Sequence, residues 1–243
     1  MKATFFLKPL EFNLNIDGET WSQGDQVKGQ LNIVNHSGDT VDLTNIKVQL
    51  CFCAAKKVKA KDESGIIVLE SVDYTSGDQI AFDFKLGEDC QITESTGSLY
   101  IICGDASDPF GGGLMQLNVL PKKVITDFVE VFEQFYRFKL KTFKNKKGFI
   151  EAAVVPPSSK DWTSIQKMSL QFKMVEEDMD VTFNFAVKKM SFESIETKTK
   201  DTKLSFNHVL TPKDYSRFGS VNQDGIKKVI DEVLEQVKLK PLL

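Results

Sequence analysis

Residues 20–35 read TWSQGDQVKGQLNIVN, and two interpretations of them lead to different proteins. Gly24 and Gly29 could belong to a loop that cradles phosphate, or they could mark the turn and the close packing of a β-strand. A phosphate loop runs on into Gly-Lys-Ser/Thr and opens a helix whose first amides face the anion. Neither follows here. Instead Val27, Gly29, Leu31 and Ile33 alternate with polar neighbours, and Asn35-His36-Ser37-Gly38-Asp39 closes the run. That is the period of a half-buried strand ended by turn residues. The stretch is expected to lie in a β-sandwich, with Gly29 where another backbone passes close.

Working outward, the same alternation recurs. Phe12, Leu14 and Ile16 precede it, and Ile46, Val48, Leu50 and Phe52 follow it, with further candidates at Ile66–Val72, Ile80–Leu86 and Ser98–Cys103. About six or seven short strands with turn signals between them point to an antiparallel β-sandwich. Asp105–Gly113, DASDPFGGG, is expected to be a flexible link, which sets a first domain at 1–113 and a second at 114–243. The period then changes. Val124, Ile125, Phe128, Val131, Phe132, Phe135 and Phe138 recur at three and four, predicting an aromatic-faced helix over about 122–138. Strands are expected again at Phe149–Val155, Ile165–Phe172 and Met179–Val187, with Glu176-Glu177-Asp178 as a turn and more β character within 189–208. Ile226, Val229, Ile230, Val233, Leu234 and Val237 predict a closing helix over about 224–239, capped by Asn222 or Asp224. It is expected to dock on the second sheet or to project for self-association. The fold class is therefore mainly β, with two antiparallel sandwich domains, the second carrying a helix at its start and one at its C-terminus.

Composition narrows the function. The 243 residues are 41% hydrophobic and 27% charged, enough apolar material for real cores. Net charge is −3, and Arg137 and Arg217 are the only arginines. Nucleic-acid binding is disfavoured, because planar bidentate recognition of phosphate and guanine leans on arginine. Residues 1–10 lack the longer apolar core of a secretory leader, no apolar run has membrane-spanning length, and a cytoplasmic location is expected.

Several features together resemble the arrestin-like superfamily. Trp21 and then Gly24-Asp25-Gln26-Val27-Lys28-Gly29-Gln30-Leu31 follow that family's aromatic, Pro-Gly-acid, β-branched, Gly pattern, with Gln23 in place of proline. Phe82-Asp83-Phe84-Lys85-Leu86, then Thr93-Glu94-Ser95-Thr96-Gly97-Ser98-Leu99-Tyr100-Ile101, match its paired strands. The helix at 122–138 and the strand Ser169-Leu170-Gln171-Phe172 are most similar to the bacterial sporulation-control proteins. The resemblance implies two packed β-sandwich domains, no catalysis and an adaptor or regulatory role. The buried arginine–carboxylate phosphate sensor of receptor-binding arrestins does not carry over, since no arginine lies in the first domain.

The chemistry-bearing residues agree with a binding protein. Cys51 and Cys53 share a strand, but with Cys90 and Cys103 they do not make zinc-knuckle spacing, and buried structural cysteines are expected, with no metal and no cofactor. His36 and His208 have no nucleophile or metal motif beside them, and the acidic group Glu176, Glu177, Asp178 and Asp180 suits a solvated turn. No enzyme is expected. The candidate partner-binding residues are Lys56, Lys57, Lys59 and Lys61 after one strand, and Lys144, Lys146 and Lys147, with Lys139 and Lys141, after the first helix. They would serve an acidic partner or an anionic surface, or guard exposed strand edges. The function expected is a non-catalytic cytosolic scaffold or regulator, sporulation-control-like, that binds protein partners through sandwich edges and loops. Nucleic acid is excluded as a partner, while peripheral membrane contact and a homodimer stay open. The alternative is a carbohydrate- or lipid-binding β-sandwich, which would display Trp21 or Trp162 on an exposed face.

Overall fold

The computed structural model describes residues 1–159, 162–191 and 198–239. The chain divides into two compact units, Met1–Lys122 and the residues from Lys123 onward. The first contains β1 (Lys2–Leu7), β2 (Leu10–Ile16), β3 (Trp21–Ser22), β4 (Gln26–Asn35), β5 (Ile46–Ala54), α1 (Ala55–Ala60), β6 (Ile66–Asp73), β7 (Gln79–Lys85), β8 (Gly97–Asp105), β9 (Gly113–Gln116) and β10 (Val119–Leu120). The second contains α2 (Lys123–Tyr136), β11 (Lys139–Lys146), β12 (Phe149–Val155), β13 (Ile165–Val175), β14 (Asp178–Ser191), β15 (Lys198–Leu210), α3 (Pro212–Tyr215), β16 (Ser216–Arg217), β17 (Ser220–Val221) and α4 (Gln223–Leu239).

In the first unit two four-stranded sheets, β1-β2-β4-β7 and β6-β5-β8-β9, share one core. Alternation explains it: Phe12, Leu14, Val27 and Leu31 from one sheet meet Val48, Leu50, Leu99 and Ile101 from the other, all buried. Each such side chain removed from water contributes roughly 1.5–3 kcal/mol. The strand interpretation of residues 20–35 holds. Gly24 turns the chain with φ +90°, and Gly29 lies in β4 opposite Ile16 and Phe82. A Cβ at Gly29 would run into the Asn15 carbonyl and the Phe82 ring, so the position needs a residue without one.

The glycine run is packing rather than a link. Gly113 pairs with Cys103 as β9 joins β8, and a Cβ there would strike the Phe5 ring and the Cys103 sulfur. β10 then pairs in parallel with β3, so residues 114–120 belong to the first unit. The division falls after Lys122 instead of at 113/114. The sequence-based expectation also omitted β1 and α1. β1 is an edge strand whose inward face, Ala3, Phe5 and Leu7, is only half-buried, and α1 buries none of its six residues.

The described strands of the second unit form one antiparallel sheet, β11-β12-β13-β14-β15, beside the small β16-β17 hairpin. Ile150, Ala152, Leu170, Phe172, Val181 and Phe183 make its buried face. The layer against that face is helical. Phe128 of α2 meets Phe172 and Phe183 edge-on, with ring centroids 5.4 and 6.0 Å apart. Phe132 and Phe138 are buried as well, but Phe135 is 46% exposed under the Lys227 ammonium, which sits 4.6 Å from its ring centre. α4 docks within this unit: Ile226, Ile230, Val233 and Leu234 are buried, and the Tyr136 hydroxyl donates to the Asp231 carboxylate at 2.7 Å. Burial and that carboxylate push the Tyr136 phenol well above its ordinary pKa. Asn222 caps the helix, its Oδ1 accepting from the Gly225 amide at 3.2 Å. Part of the β character expected within 189–208 falls on 192–197, outside the described residues; the rest is in β14 and β15.

Candidate functional site

The candidate lysines fall in different units and do not form one patch. Lys56, Lys57 and Lys59 are exposed on α1, and Lys61 is its left-handed C-cap with φ 52°. Lys57 is committed locally: its ammonium donates to Asp62 and, at 3.2 Å, to Ser64. That contact, with help from Ser64, holds the Asp62 carboxyl down at about 2. Among the described residues Lys56, Lys59 and Lys61 have no ion pair. Lys144 and Lys146 are exposed on β11, and Lys147 is in the turn to β12.

Two unsealed surfaces lie in the units that carry these lysines, and of the lysines after the first helix only Lys141, not Lys144, Lys146 or Lys147, lines one of them. In the first unit β6 is an edge strand, paired with β5 alone. Ile67, Val68 and Leu69 are 57%, 50% and 49% exposed, so β6 is solvated on both faces at once. A row of unpaired backbone groups flanked by apolar side chains invites an added strand. The lysines of α1 lie just upstream of it in the chain.

In the second unit the outer face of the sheet is bare, and its register explains a trough across it. Ala153 pairs with Ser169, Ser169 with Asn184 and Asn184 with Ser205, giving a row of short side chains that crosses four strands. Glu151 and Gln171 stand on one side of the row. Lys167, Ala186 and Lys203 are the cross-strand partners on the other, with Lys141 at the β11 bulge. Longer walls beside a short floor leave a cavity of about 880 Å³. On the floor, Ser205 donates its hydroxyl to Asn184 Oδ1 at 3.0 Å, while Asn184 Nδ2 is buried without a partner. This trough was invisible in the sequence, because it depends on which residues face each other across strands distant in the chain.

The remaining candidates are structural. Cys51 and Cys53 pack with Tyr100 and Ile102, apart from the cluster that holds Cys103. Burial pushes the Cys51 and Cys103 thiols up to about 12 and those of Cys53 and Cys90 up to about 11, which suppresses the nucleophilic thiolate. His36 Nε2 meets Glu11 at 2.7 Å on the surface, and His208 stands edge-on to Phe183. Arg137 and Arg217 are both exposed and both in the second unit, so neither forms a buried sensor in the first. Trp21 is buried, which removes it as a platform for a sugar, while Trp162 is half-buried edge-on to Phe138 and lines a small pocket with Phe135, Tyr136 and Arg137. Among the described residues no helix is long and apolar enough to cross a membrane.

No family model matches the sequence, and no curated protein matches it. Among solved structures the fold is similar to that of Spo0M, the sporulation control protein of Bacillus subtilis. The likeness has a TM-score of 0.57 at 15% identity and covers 94% of this chain and 98% of that one. The likeness is one of fold: the chain has the mainly β architecture of antiparallel sheets that its strand patterns imply, and it is the fold of that protein.

Proposed function

We propose that this chain is a non-catalytic regulatory scaffold, acting like a sporulation-control protein, that binds protein partners through its sheet edges and loops. The observation that carries the proposal is β6, an unpaired edge with Ile67, Val68 and Leu69 exposed in succession. An extended segment of a partner would hydrogen-bond to the free backbone groups and set its own apolar side chains on both faces of the strand. Thiols held protonated by burial, and histidines placed beside Glu11 and Phe183 with no nucleophile at hand, favour binding over catalysis. The fold shared with Spo0M supports a regulatory role of the same kind. A photo-crosslinking residue at position 67, used in the source cells, tests this. A defined protein should crosslink from position 67, and Val68→Lys should abolish the product. Equal crosslinking with Val68→Lys, or a product only from control positions such as Thr75, would refute it.

A further inference from the structure

We propose that the trough on the outer face of the second unit binds an extended acidic peptide with a carboxylate at about every third residue. The proposal shares with the scaffold reading only the premise of a protein partner; it uses another surface and other chemistry. Three observations converge on it.

The first is charge. The chain as a whole is acidic at −3, yet three lysines, Lys141, Lys167 and Lys203, line the trough against one carboxylate, Glu151. Among the described residues none of the three lysines is ion-paired. The surface is therefore locally cationic and uncommitted, and it complements an anionic ligand.

The second is spacing. Lys141, Lys167 and Lys203 come from β11, β13 and β15, alternate strands of the sheet. Strands lie about 4.8 Å apart, so the lysines recur about every 9.6 Å across the sheet. An extended chain in the polyproline II conformation rises about 3.1 Å per residue with three residues per turn, so its same-side residues recur about every 9.3 Å. The floor, from β12 to β15, spans roughly 14 Å, the length of four to five such residues.

The third is the floor itself. Ser169, Asn184 and Ser205, with Gln166 and Gln171 beside them, offer hydroxyl and amide groups suited to a peptide backbone that has no sheet edge to pair with. Asn184 Nδ2 is the unpartnered buried side-chain donor among the described residues, and a peptide carbonyl settling over the Asn184–Ser205 pair would give it an acceptor. Among the described lining residues the one aromatic, Phe185, is buried at 2% exposure and offers no face to a sugar ring, and no arginine is there to fork a phosphate. Lysines serve as point charges for carboxylates, and peptide is favoured over glycan.

The test uses the full chain and fluorescent (Glu-Pro-Pro)5, with (Gln-Pro-Pro)5 and oligogalacturonate as comparison ligands, read by anisotropy. The glutamate peptide should bind, weaken as salt rises, and weaken at least tenfold with the double variant Lys167→Gln, Lys203→Gln. Ser169→Phe, which fills the floor, should abolish binding, and circular dichroism should show both proteins folded. Val68→Lys should leave peptide binding unchanged, so failure of the edge proposal and failure of this one are separable. Absence of binding, equal binding of the glutamine peptide, indifference to the lysine variant, or binding of oligogalacturonate alone would each overturn the proposal.

Discussion

The central strands β5 and β8 of the first unit's sheet β6-β5-β8-β9 are covered on both faces: Val48, Leu50, Leu99 and Ile101 meet the opposite sheet, while Cys51, Cys53, Tyr100 and Ile102 are packed by Val58 of α1, Ile66 and Leu114. The sheet of the second unit is covered on one face, by an aromatic helix, and its other face is open, with lysines, short polar side chains and small apolar ones lining a trough. The difference shows what each of these two sheets has left to offer a partner. A sheet sealed on both sides has only its edges left to offer, and β6 is the most apolar of them. A sheet sealed on one side can use a whole face, and there the cross-strand register decides whether that face is flat or troughed.

The covered face formed by Cys51, Cys53, Tyr100 and Ile102 should show the largest effect. A rise from 9.0 to about 12 reduces the reactive thiolate of Cys51 at neutral pH roughly a thousandfold. Alkylation at pH 8 should leave Cys51 and Cys53 unmodified in the native chain and modify them quickly in urea; rapid native labelling would mean that the face is open. The same raised values destabilise the fold in alkali. The unfolded thiols ionise first, so the stability they contribute is full below pH 9 and is lost as pH rises through about 11 to 12.

Phe128→Ala removes the ring that α2 sets against the second sheet, and about 3–5 kcal/mol should be lost in urea denaturation. Hydrogen exchange should speed up beyond Lys123 and stay unchanged in β2 and β4. Gly29→Ala should cost the first unit about 1–3 kcal/mol through overpacking against Asn15 and Phe82, with exchange changing in the opposite pattern. Asn222→Ala should cost about 1 kcal/mol by uncapping α4. Smallest in stability, Val68→Lys should shift the unfolding midpoint by less than about 0.5 kcal/mol while removing edge binding, because the side chain is exposed.

Strands with a clean alternation were legible in the sequence, and so were the helices with a period of 3.6. β4 announces itself through Val27, Leu31 and Ile33, and α4 through Ile226, Ile230 and Val233. β1 and β11 were not legible, for a shared reason. Both are edges and neither buries a residue fully: in β1 the exposed Phe6 sits among Ala3, Phe5 and Leu7 and blurs the alternation in the sequence, and in β11 lysines at 139, 141, 144 and 146 outnumber the apolar Leu140 and Phe143. Gly111-Gly112-Gly113 misled because glycine serves mobility and close packing equally, and only the Phe5 ring beside Gly113 decides between them. The lysines were visible as a composition. Their sorting into an α1 group and a trough wall needed the register that brings Lys167 and Lys203 to the same row.

An open strand edge that receives a partner should show itself in residue-resolved hydrogen exchange over Ile66–Asp73. Measurements would compare the full chain alone with the chain bound to the protein crosslinked from position 67. In the free chain, amides of β6 that pair with β5 should be protected while their alternating neighbours exchange fast, and the partner should slow the fast set. A fast set that stays fast in the complex, with new protection elsewhere, would contradict the claim.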